Sequence, residues 1–175
     1  MKKCKEILIG VLLLSMVFFT ACTSKAAKAM EKVELGQKYL TELNYTEAVA
    51  SFTEAIGLDP ENISAYMGRA EAYVGLKQYD DAKTDYTTAI EKAVEQPYTR
   101  AEAYVGRAEV NEVTNANEAA LSDYESAQNI LDSIDWSKFK EITEQMLKAL
   151  QEKIEKACEE LRALLGLNAV SYTHL

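Results

Sequence analysis

The chain has 175 residues, a formal net charge of −9 and an isoelectric point near 4.8. An acidic balance with no basic patch argues against nucleic-acid binding, which draws affinity from releasing the counterions around phosphates. One histidine, three cysteines and seven scattered glycines, with no glycine-rich phosphate loop and no metal-spaced cluster, argue against an enzyme, a metal site or a cofactor.

In chain order, Lys2, Lys3 and Lys5 precede an apolar run from Ile7 to Phe19. The run is shorter than the roughly 20 residues a membrane-spanning helix needs, and it ends in small residues, the layout of a secretory signal. Phe19-Thr20-Ala21-Cys22 resembles the lipobox of bacterial lipoproteins, with Phe19 where leucine is usual. The resemblance implies that residues 1–21 are removed and that Cys22 carries the acyl chains (palmitate among them). Residues 22–28 then form a short linker, with Lys25 and Lys28 near the headgroups. Two acyl chains anchor stably where one is marginal. The implied location is lipid-anchored and extracytoplasmic, on the cell membrane or outer membrane. Cys4 leaves with the signal, and Cys158, left alone, reads as a small buried apolar residue.

Self-similarity governs the next hundred residues. Tyr66-Met67-Gly68-Arg69-Ala70-Glu71-Ala72-Tyr73 returns as Tyr104-Val105-Gly106-Arg107-Ala108-Glu109-Val110-Asn111, and Ala48/Phe52/Ala55 returns as Ala82/Tyr86/Ala89 and Ala120/Tyr124/Ala127. The spacing is 34 and then 38, with the extra residues around Pro97, which interrupts or opens a helix. Leu35-Gly36-x-x-Tyr39, Ala48-x-x-x-Phe52 and Pro60 resemble the tetratricopeptide repeat, a 34-residue helix–turn–helix unit. Lys32, Val94 and Asn111 depart from its usual residues. The fold expected is all-α: a solenoid of three repeats (29–62, 63–100 and 101–134, together 29–134) plus a long C-terminal capping helix. Helices are predicted near 26–42, 45–58, 62–75, 79–94, 98–113 and 116–131. Arg69/Asp85 and Arg107/Asp123 lie sixteen apart, and both partners change together in the first repeat, to Leu35 and Ser51. That predicts an ion pair between the two helices of the second and third repeats.

Residues 135–166 read as one helix. Trp136 and Phe139 are predicted to cap the third repeat. Leu147, Leu150, Ile154, Ala157, Leu161 and Leu164 follow steps of three and four, the spacing of a heptad seam. The second half is expected to project, unless the chain folds back, and to offer Leu150, Ile154, Ala157 and Leu161 to a second copy. Glu152/Lys156, four apart, support the helix. Residues 167–175 read as a disordered tail. Ser171-Tyr172-Thr173-His174-Leu175 resembles the translated read-through of a sequencing adapter, which implies a longer native chain.

The repeat resemblance also implies a function: members hold other proteins in a concave groove lined by the first helix of each repeat. Its wall positions here are Gln37, Met67, Glu71, Glu102, Val105, Glu109 and Glu112. Some members clamp a peptide's terminal carboxylate with lysine, asparagine and arginine, and none of those residue types stands at these positions. The expected partner is therefore a basic, partly apolar protein segment facing Glu71, Glu102 and Glu109, with an apolar anchor on Met67 and Val105. A membrane-anchored interaction scaffold of the bacterial envelope is the leading expectation. The alternatives are an accessory or regulatory subunit of a surface enzyme, or the N-terminal part of a longer protein.

Overall fold

The computed structural model describes residues 25–134 and 141–166, with side chains from 147 onward in the second stretch. Cys22, Trp136, Phe139 and the 167–175 tail lie outside the described residues. Among the described residues seven helices run in order: α1 (25–41), α2 (Tyr45–Leu58), α3 (Ile63–Gly75), α4 (Tyr79–Lys92), α5 (Pro97–Val113), α6 (Asn117–Asp132) and α7 (Glu141–Leu164). Among the described residues there is no strand, and no helix is long and apolar enough to cross a membrane.

The helix ends have local causes. Asn62 caps α3 by accepting the Ala65 N–H at 3.0 Å, which satisfies one of the free donors of the first turn. Pro97 opens α5 where its missing N–H costs nothing. α4 stops at Lys92, two residues before the predicted end, because the chain must turn ahead of that proline. Within each repeat the first helix closes through a left-handed residue: Leu43, Lys77 and Asn115, with φ of 59°, 60° and 58°. The next N–H reaches back five residues, from Asn44 to Tyr39, Gln78 to Tyr73 and Ala116 to Asn111, each at 2.8 Å. This is the Schellman closure that satisfies the last helical carbonyls.

α1/α2, α3/α4 and α5/α6 form three hairpins that stack in sequence. Alanines allow the close approach: Ala48, Ala82 and Ala120 are fully buried, as are Ala55, Ala89 and Ala127. Aromatic rings fill the joints between repeats. Phe52 is fully buried between Gly36 and the next repeat's Gly68, and Tyr86 lies against Gly106. A methyl group on Gly68 or Gly106 would fall 2.3 or 2.5 Å from the ring beneath it. Tyr124 has no following repeat, and α7 takes that place.

The predicted ion pairs form in both repeats. Arg69 Nε and Nη2 donate to the two carboxylate oxygens of Asp85 at 2.7 and 2.8 Å. Arg107 grips Asp123 the same way at 3.0 and 2.6 Å. Such two-point pairing is the strongest geometry a guanidinium offers. Asn111, a departure from the repeat pattern, donates to Asp123 at 3.0 Å. Lys32, another departure, reaches Glu54 at 2.6 Å.

α7 corrects part of the reading. Its second half does not project. Leu147, Ile154, Cys158 and Leu161 are buried against Val105, Leu121, Tyr124 and Leu131 of the third repeat. Ile154 is wholly covered, so the seam is not free to pair with a second copy. Apolar area on an amphipathic helix is covered by the nearest complementary surface, and the exposed end of the last repeat lies within the same chain. Arg162 ties α7 to Glu125 of α6 at 2.9 Å. Lys156 turns to Glu160, 3.8 Å away, rather than to Glu152. Burial pushes the Cys158 thiol up from its ordinary value.

Candidate functional site

The concave side of the solenoid carries one face of α1, α3, α5 and α7. Met67 and Glu71 stand one turn apart on α3, and Glu102, Val105 and Glu109 stand at steps of three and four on α5, so each set projects together. Gly68 and Gly106 keep the floor low beside them. Together with Gln37, Ser64 and Thr99 these residues enclose a cavity of about 410 Å³, within the range of built ligand sites.

Six of the seven predicted wall residues, Gln37, Met67, Glu71, Glu102, Val105 and Glu109, meet at this cavity. Glu112 is not among its walls; its carboxylate accepts the Tyr124 hydroxyl at 2.6 Å and serves the packing of α6. Val105 is only 4% exposed, because it already belongs to the cluster with Ile154 of α7. Met67 remains half-buried and within reach of a visitor.

Beyond the repeats, α7 adds two wall residues that were not anticipated, Leu150 and Lys153. The Lys153 amine pairs with Glu109. The signal was present, since Leu150 and Lys153 are one turn apart and Lys153 adjoins the buried Ile154. A heptad reading assigns Leu150 to a self-pairing seam; a helix standing in for the first helix of a fourth repeat assigns it to the groove.

The cavity is electrostatically negative. Desolvation by the groove walls raises the Glu71 carboxyl, and the nearby Glu109 charge raises it further. Desolvation also raises Glu102, partly offset by a hydrogen bond from Tyr98. At the back wall the Tyr86 hydroxyl is raised by burial and then by Glu71 and Glu109. Each carboxylate gains from a cation that enters, and none gains from a second carboxylate. Among the described residues no group of histidine, cysteine, aspartate or glutamate is arranged to hold a metal ion.

This architecture is a tetratricopeptide-repeat solenoid, and the tetratricopeptide repeat family matches residues 39–108. Human DnaJ homolog subfamily C member 7 is 38% identical over 110 residues, 60% of this chain and 21% of its own length. Small glutamine-rich tetratricopeptide repeat-containing protein 2 of Saccharomyces cerevisiae is 34% identical over 119 residues, 58% of this chain and 34% of its own. The chain thus spans about a fifth to a third of these relatives. Among solved structures, the first tetratricopeptide domain of Spaghetti (RPAP3), bound to the HSP90 peptide SRMEEVD, is 25% identical with a TM-score of 0.57, covering 77% of this chain and 95% of that one. A type III secretion complex from Aeromonas hydrophila has a TM-score of 0.66 at 17% identity, covering 80% and 84%, a likeness of fold alone.

These relatives correct the expected location. The matching curated proteins are eukaryotic DnaJ-homologue, small glutamine-rich and RNA polymerase II-associated types, not envelope lipoproteins. The lipid-anchored, extracytoplasmic reading rested on the N-terminal segment up to Cys22, which lies outside the matched residues 39–108.

Proposed function

We propose that the protein is a non-enzymatic interaction module whose concave groove captures a basic, partly apolar segment of a partner protein. The observation that supports this most directly is the pair of carboxylates on Glu71 and Glu102, which line the cavity with Met67 and have no cationic partner among the described residues. Spaghetti's first repeat domain is bound to SRMEEVD, an acidic peptide. The same peptide entering here would set its carboxylates against Glu71, Glu102 and Glu109, and the one lysine in the wall is already engaged. Like charges at such separations oppose association, while opposite charges raise the encounter rate and fade with salt.

The test is a pair of labelled peptides titrated with the full chain. One is SRMEEVD; the other is an amphipathic peptide with leucine and lysine three residues apart. The basic peptide should bind, weaken between about 0.05 and 0.5 M salt as screening shortens, and lose binding to Glu71→Lys/Glu109→Lys while thermal unfolding of that variant stays cooperative. Tighter binding of SRMEEVD, or binding of the basic peptide that ignores both salt and charge reversal, would reject the reading.

A further inference from the structure

The three groove carboxylates are not equivalent. Glu71 and Glu102 are unpaired by any cation among the described residues, whereas Glu109, close enough to Glu71 to raise it, holds the Lys153 amine. That pair is open to solvent on both sides, with the lysine 54% and the glutamate 44% exposed, so it is readily exchanged. Lys153 reaches the wall from α7, and Leu150, one turn before it, lines the same cavity. A helix therefore presents an apolar residue, and then a lysine three positions on, to an acidic wall. This is the chemistry attributed above to the partner, supplied by the chain itself.

We infer that the cavity between α3, α5 and α7 is a receptor for a single alkylammonium or guanidinium group of the partner segment, and that Lys153 is its resident competitor. The inference rests on the groove reading. An incoming cation placed between Glu71 and Glu109 takes over Glu109, and Lys153 turns out to solvent. α7 stays docked throughout, because Ile154, Cys158 and Leu161 hold it to the third repeat independently of the lysine. A tethered competitor acts at a high effective concentration, so Lys153 sets the threshold that a visiting cation must exceed. A segment that also brings an apolar residue to Met67 exceeds it; an isolated lysine does not.

The experiment uses the full chain and the labelled leucine–lysine peptide, read by fluorescence anisotropy at low salt. Lys153→Gln should tighten binding about two- to fivefold, the upper range that release of one exposed ion pair supplies. Lys148→Gln removes the same charge from the exposed side of α7 and should change affinity by less than about 1.5-fold, since an exposed charge farther from the cavity is screened. In a Glu109→Gln background the Lys153→Gln change should have no effect, which ties the gain to that one pair. Equal effects of Lys153→Gln and Lys148→Gln, or weaker binding by Lys153→Gln, would overturn the competitor role and leave the groove reading standing. No binding by the wild-type chain, or binding unaffected by Glu71→Gln/Glu102→Gln, would remove the groove reading and this inference with it. Cooperative thermal unfolding of each variant, with a midpoint no lower than that of wild type, confirms that loss of folding is not what is being read.

Discussion

The first repeat and the two that follow solve the same packing problem by different means. In the second and third, the paired helices are joined by a two-point arginine–aspartate bridge in a largely covered joint, with Asp85 5% and Asp123 8% exposed at the side chain. In the first, the corresponding positions are Leu35 and Ser51, which form no bridge; the pair that links its helices, Lys32–Glu54, lies in a more exposed place. Instead Phe52 is completely buried, gripped between Gly36 and Gly68. In the later repeats alanine replaces Gly36 as Ala70 and Ala108, and the ring is a tyrosine. A glycine–phenylalanine contact fixes the distance between helices by shape. A bridge fixes their register by charge, and makes the joint intolerant of losing either partner.

The sharpest test of that contrast is to break the charge. Asp123→Ala leaves Arg107 and Asn111 without their shared acceptor and should cost up to about 3–5 kcal/mol, because a half-buried charge loses its partner. Asp85→Ala, which strands only one donor residue, should fall at the lower end. Ser51→Ala should cost under about 1 kcal/mol, since no charged partner is abandoned. Urea unfolding of the three variants checks the order. The joint Arg107→Met/Asp123→Leu change should recover much of the loss, because a desolvated pair is often no more stable than an apolar replacement. A Ser51→Ala cost equal to that of Asp123→Ala would erase the distinction.

The reciprocal test breaks the shape. Gly68→Ala drives a methyl into the Phe52 ring at 2.3 Å, and the ring cannot retreat because Gly36 backs it. The expected cost is about 1–3 kcal/mol, the usual range for overpacking. Gly57→Ala, with open space around it in α2, should stabilise by up to about 1 kcal/mol through helix propensity.

A smaller difference lies in the hairpin turns. Leu43 and Lys77 occupy a left-handed conformation that costs an ordinary residue about 1–2 kcal/mol, whereas Asn115 tolerates it. Leu43 is 68% exposed, so it gives up little packing when replaced. Leu43→Gly should therefore stabilise by about 1 kcal/mol, and Asn115→Gly by much less, as thermal unfolding will show.

These contrasts also show what was legible in the sequence. The sixteen-residue spacing of Arg69/Asp85 and Arg107/Asp123 predicted contact, because antiparallel helices in a fixed hairpin bring such positions together wherever the turn length is constant. The helix boundaries were legible for the same reason: Asn62, Pro97 and the repeat period act locally. Leu150 and Lys153 were not placed in the groove, because their destination depends on how α7 docks. The angle of a helix on a repeat end is a tertiary quantity that its own periodicity leaves open. Val105 was expected to anchor a partner and is instead covered by α7, for the same cause. The location failed differently: it was read from an N-terminal pattern that lies outside the described residues and that the repeat period does not constrain.

The smallest expected effect belongs to the groove, where the second and third repeats contribute Glu71 and Glu102 and the first contributes only uncharged Gln37. Both carboxyls are raised in the folded protein, chiefly by desolvation. A raised carboxyl binds its proton more tightly folded than unfolded, so between the ordinary and the raised value the folded state holds more protons, and stability falls as pH rises through that window. Above it the full penalty is present; below it the penalty is gone. Glu71→Gln/Glu102→Gln should therefore unfold at a higher temperature than wild type at neutral pH, with the gap closing as pH falls through the carboxylate range. Glu109, near Glu71 and paired with Lys153, is present in both proteins, so the comparison changes only the two replaced groups. The corresponding Gln37→Glu change would bring a third unpaired carboxylate to the cavity and should widen the wild-type slope. A gap that stays constant with pH, or that opens in acid, would show that these glutamates are not destabilised by the groove, and that its two ends do not differ electrostatically.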